Sequence, residues 1–126
     1  MPVRSLSSSV FKWPNRKEVD DAVRTWAPKA AELHPGVLRI GYFGSYARGD
    51  WGVGSDLDVI AIVEHAEESF ERRSLGWDVD DLPVPVQLIV YALKEWALLT
   101  QEGGRFARTL ESETVWVHGQ GDLPVG

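Results

Sequence analysis

Residues Gly41 to Val59 read GYFGSYARGDWGVGSDLDV, and this stretch decides the fold. It begins inside an apolar run rich in β-formers, Val37 to Phe43, which predicts a strand. Glycines and polar residues dominate positions 44–55, so a turn or loop is expected there. Asp56 to Glu64 (DLDVIAIVE) then predicts a central strand covered on both faces, with acidic residues at its opening.

The flanking sequence supplies helices and further strands. Apolar residues recur at three-and-four spacing from Asn15 to Leu33, which predicts an amphipathic helix with a kink or restart at Pro28. Downstream, the patterns predict a short helix from Glu67 to Leu75, a strand from Val84 to Tyr91, helices from Leu93 to Gln101 and Arg105 to Glu113, and a short strand from Thr114 to His118. We therefore expect an N-terminal arm at 1–14, one folded domain at 15–118 and a flexible C-terminal tail at 119–126.

Composition narrows the classes of function. The 126 residues carry 13 Lys and Arg against 19 Asp and Glu, a net charge of −6, which argues against non-specific nucleic-acid binding. The chain contains no cysteine, which excludes thiol catalysis, cysteine-ligated zinc, iron–sulfur clusters and disulfides. No signal peptide or membrane span is apparent, so a cytoplasmic protein is expected.

Two carboxylates, Asp56 and Asp58, open the central strand. Alternate residues of a strand share a face and lie about 6 to 7 Å apart. Such a pair can bridge two Mg²⁺ ions roughly 3.5 to 4 Å apart, the arrangement used for in-line phosphoryl or nucleotidyl displacement. A bare Asp-x-Asp more often caps a turn or points to water.

Gly44 and Ser45 follow directly after the first strand. A glycine there permits a tight turn whose backbone N–H groups can cradle phosphate oxygens, with the Ser45 hydroxyl and the Arg48 guanidinium as further anchors. Taken alone, the pair also fits an ordinary connection between a strand and a helix.

In combination, Gly-Ser, ten intervening residues and Asp-x-Asp resemble the signature of the DNA polymerase β-like nucleotidyltransferase superfamily, in particular its small antitoxin-like members, the minimal nucleotidyltransferases. The resemblance implies a single small α/β (α+β) domain with a mixed sheet flanked by helices. It also implies that ATP or another nucleoside triphosphate is bound with Mg²⁺ and that a nucleoside monophosphate passes to a hydroxyl acceptor. Carried over by position, Gly44 and Ser45 hold the triphosphate, with Arg48 as a further contact, while Asp56 and Asp58 are catalytic and ligate the metal ions.

The chain departs from the family pattern at one position. Members normally carry a third carboxylate on the following strand, where Val86 to Val90 (VQLIV) places Gln87. A glutamine is a poor Mg²⁺ ligand and cannot take a proton from an attacking hydroxyl. We expect nucleotide binding to survive and transfer to be reduced, unless one of the acids Asp78, Asp80 and Asp81 compensates.

Two functions stay open on the sequence alone. One is an enzyme that transfers AMP to a HEPN-domain partner protein, a partner implied only by the resemblance. The other is a degenerate nucleotide-binding protein that regulates its partner by contact. Trp51, inside the glycine-rich stretch, is either a base-stacking residue or, the reading we favour, a packing residue.

Overall fold

The computed structural model describes residues 13–119 and Leu123, so most of the expected arm and tail lies outside the described residues. In chain order the elements are α1 (Arg16–Leu33), β1 (Val37–Phe43), α2 (Ser45–Arg48), β2 (Leu57–Val63), a 3₁₀ helix (Phe70–Gly76), β3 (Val86–Ala92), α3 (Leu93–Glu102), α4 (Arg105–Glu113) and β4 (Val115–His118). Within these residues, no helix is both long and apolar enough to cross a membrane.

The four strands form one mixed sheet in the order β3-β2-β1-β4. Strand β2 runs parallel to β3, whereas β1 is antiparallel to both β2 and β4. This arrangement, with helices packed on the sheet, confirms the predicted fold class.

Strand β2 is the centre of the core. Val59 and Ala61 belong to the cluster that α1 completes, while Ile60 and Ile62 belong to a second cluster with Trp96 of α3. All four β2 side chains are fully buried, which is why this strand reads as an uninterrupted apolar run. Side chains alternate along a strand, so Asp58 lies on the same face as Ile60 and Ile62, the face that α3 and α4 cover.

Helix α1 begins with a capping box. Asn15 accepts a hydrogen bond from the Glu18 N–H, and the Glu18 carboxylate accepts one from the Asn15 N–H. The expected restart at Pro28 is wrong, because the helix continues through it to Leu33. Pro28 and Arg24 both lie on the exposed face, where water can satisfy the Arg24 carbonyl that Pro28 leaves without its helical donor.

Two further elements have bounds that differ from the predicted ones. The short helix expected at Glu67 to Leu75 is a 3₁₀ helix at Phe70–Gly76. The third strand starts at Val86 rather than Val84, after the prolines at 83 and 85. The carbonyl of Pro85 still accepts a hydrogen bond from the Leu57 N–H at 2.8 Å, which holds the starts of β2 and β3 together.

Three aromatic side chains fix the start of the described chain against α2. The Trp13 indole N–H donates to the Tyr46 hydroxyl at 2.8 Å, and that hydroxyl donates to the Pro14 carbonyl at 3.1 Å. The Trp51 ring stacks on the Tyr46 ring with centroids 5.6 Å apart and packs against the core. The structure therefore gives Trp51 the packing role that we favoured.

Candidate active site

A cleft lies at the edge of the sheet where β1 ends and β2 and β3 begin. Because β1 and β2 are antiparallel, Phe43 at the end of β1 pairs with Asp58 near the start of β2. The cleft has a volume of about 460 Å³. It is lined by all five predicted site residues, Gly44, Ser45, Arg48, Asp56 and Asp58, together with Gln87 and the α4 residues Phe106, Thr109 and Glu113.

Gly44 has a backbone conformation that a side chain would disturb. Its φ of 80° and ψ of −153° fall in a region that is essentially restricted to glycine. A β-carbon at this position would collide with Oδ2 of Asp58. The glycine therefore allows the metal-binding carboxylate predicted at Asp58 to lie directly against the backbone of the turn.

The surroundings of Asp58 disfavour the ionised form of its carboxylate. Burial raises the pKa of Asp58, and the neighbouring carboxylates of Asp56 and Glu113 raise it further, while Arg48 opposes them. A cation would relieve both the burial penalty and the repulsion between these carboxylates. The electrostatics therefore favour a bound cation beside Asp58.

Glu113, at the end of α4, is a site residue that the sequence reasoning missed. Its Oε2 accepts a hydrogen bond from the Gly44 N–H at 2.7 Å, and both of its carboxylate oxygens lie 3.4 Å from Nη1 of Arg48. The Arg48 Nε also donates to Asp50 at 3.0 Å. Glu113 thus holds the turn at Gly44 and orients the predicted phosphate contact Arg48.

Gln87 lies where the sequence comparison with the family placed it. In the parallel pair of β2 and β3 its Cα is the partner of the Asp58 Cα. Its side-chain amide donates to Oδ2 of Asp56 at 3.2 Å. A neutral amide donor therefore contacts one of the two predicted metal ligands at the position expected for a third acid.

The acids that precede β3, Asp78, Asp80 and Asp81, lie outside the lining of the cleft. Asp78 instead accepts, through its carbonyl, a hydrogen bond from the Trp26 indole at 2.8 Å, on the side of the sheet that α1 covers. Their positions therefore do not favour the alternative that one of them compensates for Gln87.

The donor set of the cleft fits Mg²⁺. Across residues 13–119, no three acidic or histidine side chains converge as a ready-made metal cage. Mg²⁺ is usually held by one or two carboxylates, with waters and substrate phosphates completing its octahedral shell. The pair Asp56 and Asp58, beside the turn at Gly44 and Ser45, matches that kind of site.

Comparison with known proteins agrees with this geometry. Residues 23–117 match the family described as the nucleotidyltransferase domain. The chain belongs to the nucleotidyltransferase domain family. The matched range contains every residue of the cleft, from Phe43 to Glu113.

A solved structure shares the fold. A protein from Sulfolobus solfataricus, described as a candidate nucleotidyltransferase, superposes with a TM-score of 0.59 at 18% sequence identity. The match covers 87% of this chain and 90% of that chain. At this identity the likeness shows the nucleotidyltransferase fold alone. Among curated proteins, none matches the sequence.

Proposed function

We propose that the protein is a Mg²⁺-dependent nucleotidyltransferase that moves AMP from ATP to a hydroxyl group of a HEPN-type partner protein. The observation that carries the proposal is the convergence of Gly44, Ser45, Asp56 and Asp58 in one cleft of a chain that belongs to this family. The partner follows from the resemblance to the antitoxin-like members of the superfamily.

Each residue has a distinct task in this reaction. Asp56 and Asp58 hold Mg²⁺, which when bound neutralises phosphate charge and polarises the reacting oxygens. Ser45 and the turn at Gly44 position the triphosphate, and Arg48 compensates its negative charge. The acceptor oxygen forms a bond to the α-phosphorus, the bond between that phosphorus and the bridging oxygen breaks, pyrophosphate leaves with that oxygen, and the proton of the acceptor hydroxyl passes to water.

Gln87 limits the rate of this transfer. In an active site with a third carboxylate, that group helps to hold the metal ion that activates the acceptor. The Gln87 amide cannot accept the proton of the acceptor hydroxyl, and its N–H contacts Asp56 in place of a cation. The nucleotide therefore binds, and the chemical step is slow.

The same contact favours a second candidate function. If the chemical step is lost altogether, the protein acts as a nucleotide-binding regulator that controls its partner by direct contact. The Gln87–Asp56 hydrogen bond favours this candidate, whereas the intact pair Asp56 and Asp58 favours the enzyme.

Calorimetry with ATP, with and without Mg²⁺, tests nucleotide binding. The wild-type protein should bind MgATP, whereas Asp58→Asn should not. Mass spectrometry of a co-expressed HEPN-type protein then tests transfer, since the enzyme adds one AMP and the regulator adds nothing. Gln87→Asp should raise the rate of AMP transfer with little change in MgATP affinity, while Gln87→Asn, which restores no charge, should not. Absence of MgATP binding in the wild-type protein would refute both functions.

A further inference from the structure

One wall of the cleft carries an exposed aromatic ring. The side chain of Phe106 is 44% exposed although it is large and apolar, and it lines the same cavity as Gly44 and Asp58. An apolar ring that stays in contact with solvent inside a polar cleft loses the stabilisation that burial would provide. A ligand with an apolar face would restore that stabilisation.

The spacing along α4 relates this ring to the phosphate end of the cleft. Phe106, Thr109 and Glu113 are separated by three and four residues, so they lie on one face of the helix, and all three line the cleft. Glu113 contacts the Gly44 N–H at one end of that face. Seven residues of α-helix span about 10 Å, so the Phe106 backbone lies about 10 Å along α4 from Glu113, the residue that contacts the turn. This separation suits a nucleoside triphosphate in an extended conformation, with its outer phosphates at Gly44 and its base at Phe106.

Packing contacts hold the Phe106 ring in place. Ala107 and Leu110 of α4 are fully buried and anchor the helix to the sheet. The Phe106 ring meets the Phe43 ring at 79° with centroids 6.2 Å apart, an edge-to-face contact. Phe43 in turn lies in β1 opposite Asp58, so the ring and the predicted metal ligand are tied to the same strand pair.

Other aromatic side chains near the turn are already engaged. Trp51 stacks on Tyr46 and does not line the cleft. Within the described residues, the aromatic rings that line the cleft are Phe43 and Phe106, and Phe43 is the more buried of the two.

We propose that Phe106 is the stacking platform for the base of the bound nucleotide. This inference rests on the proposed function, because it assigns the base end of the same nucleotide site. Stacking uses the π-face that every base has and reads no hydrogen-bonding edge. The protein should therefore prefer purine over pyrimidine nucleotides, which offer less stacking area, and should discriminate weakly between ATP and GTP.

The test compares a ligand that has a base with one that lacks it. Calorimetry is run with MgATP and with magnesium tripolyphosphate on the wild-type protein, Phe106→Ala, Phe106→Trp and Phe70→Ala. Phe70 is the matched control, since its side chain is also 44% exposed but lies on the 3₁₀ helix outside the cleft. Phe106→Ala should weaken MgATP binding about tenfold and leave tripolyphosphate binding unchanged. Phe106→Trp should retain MgATP affinity, and Phe70→Ala should bind both ligands as the wild-type protein does.

Each other outcome has a defined meaning. If the wild-type protein binds MgATP and Phe106→Ala binds it equally well, the platform is refuted while the proposed function stands. If Phe106→Ala weakens both ligands alike, the ring supports the shape of the cleft and the platform is again refuted. If the wild-type protein binds neither ligand, the proposed function fails and the platform fails with it.

Discussion

Alanine at Gly44 tests how closely the turn and the predicted metal ligand fit each other. Two penalties are expected from the structure. The backbone conformation at φ 80° and ψ −153° costs a residue with a side chain about 1–3 kcal/mol. The new methyl group also collides with the Asp58 carboxylate, which must rotate away at a cost of about 0.5–1.5 kcal/mol. Together these penalties predict a loss of about 1.5–4.5 kcal/mol in the free energy of unfolding, and the rotated carboxylate should no longer bind Mg²⁺.

Two glycines of the same segment provide graded controls. Gly49 has a φ of 90° but no atom within 4 Å of a β-carbon, so Gly49→Ala introduces only backbone strain, about 1–2 kcal/mol. Gly52 also has open space and lacks a positive φ, so Gly52→Ala should leave stability nearly unchanged or raise it slightly. The predicted order of destabilisation is therefore Gly44, then Gly49, then Gly52.

Urea unfolding measures the three free energies, and calorimetry measures MgATP binding. The collision is isolated by repeating Gly44→Ala in an Asp58→Ala background, where the cost should fall by about 1 kcal/mol because the clashing carboxylate is gone. The reasoning is refuted if Gly44→Ala is no more destabilising than Gly49→Ala, or if its cost is the same in both backgrounds.

Three other substitutions test separate contacts by urea unfolding. Asp58→Asn should stabilise the ligand-free protein at pH 7. The pKa of Asp58 is raised in the folded protein, so ionisation of this carboxylate lowers the free energy of unfolding as pH rises through that pKa. The stabilisation should vanish below pH 3.8, and a stabilisation that persists there would contradict the prediction. Arg73→Met should lower the free energy of unfolding by about 2 kcal/mol, since the Arg73 side chain is 10% exposed and forms paired hydrogen bonds with Glu95 at 2.6 and 3.0 Å. Lys17→Met, which breaks an exposed ion pair, should leave the free energy of unfolding unchanged. Equal effects of the two substitutions would contradict the prediction. Pro28→Ala should raise the free energy of unfolding by about 2 kcal/mol, because alanine restores a helical hydrogen bond. A less stable variant would show that the proline has a packing role.

The strands and helices were predictable wherever one periodicity dominates the local sequence. Strand β1 and helix α4 have the predicted boundaries, Val37–Phe43 and Arg105–Glu113. The predictions failed where a local signal competes with tertiary packing. Pro28 is tolerated because Ala27 and Ala30 on either side of it are buried and hold α1 against the core. The short helix expected at Glu67 to Leu75 begins three residues later, as a 3₁₀ helix at Phe70–Gly76, in a connection that buries none of its own residues.

Some residues of the candidate site were predictable from the sequence, and others were revealed only by the tertiary structure. Gly44, Ser45, Asp56 and Asp58 lie close together in sequence, and their association was predicted because their combined pattern resembles that of a known nucleotidyltransferase superfamily. Glu113 is 69 residues from Gly44, and nothing in the local sequence links the two. The three-and-four spacing of Phe106, Thr109 and Glu113 was visible as a helical face, but only the docking of α4 shows that this face borders the cleft. Non-local contacts of this kind depend on the tertiary arrangement.

The Glu113–Gly44 hydrogen bond has a consequence for the order in which the protein assembles during synthesis. The turn and both aspartates leave the ribosome more than 50 residues before Glu113 does, so a nascent chain carries these groups without the carboxylate that holds the turn. Strand β1 likewise presents an open edge until β4, which follows Glu113, pairs with it. A ribosome that stalls before α4 would therefore display the nucleotide motif on an incomplete, association-prone sheet. Completion of the cleft and pairing of the β1 edge with β4 belong to the same late step of folding.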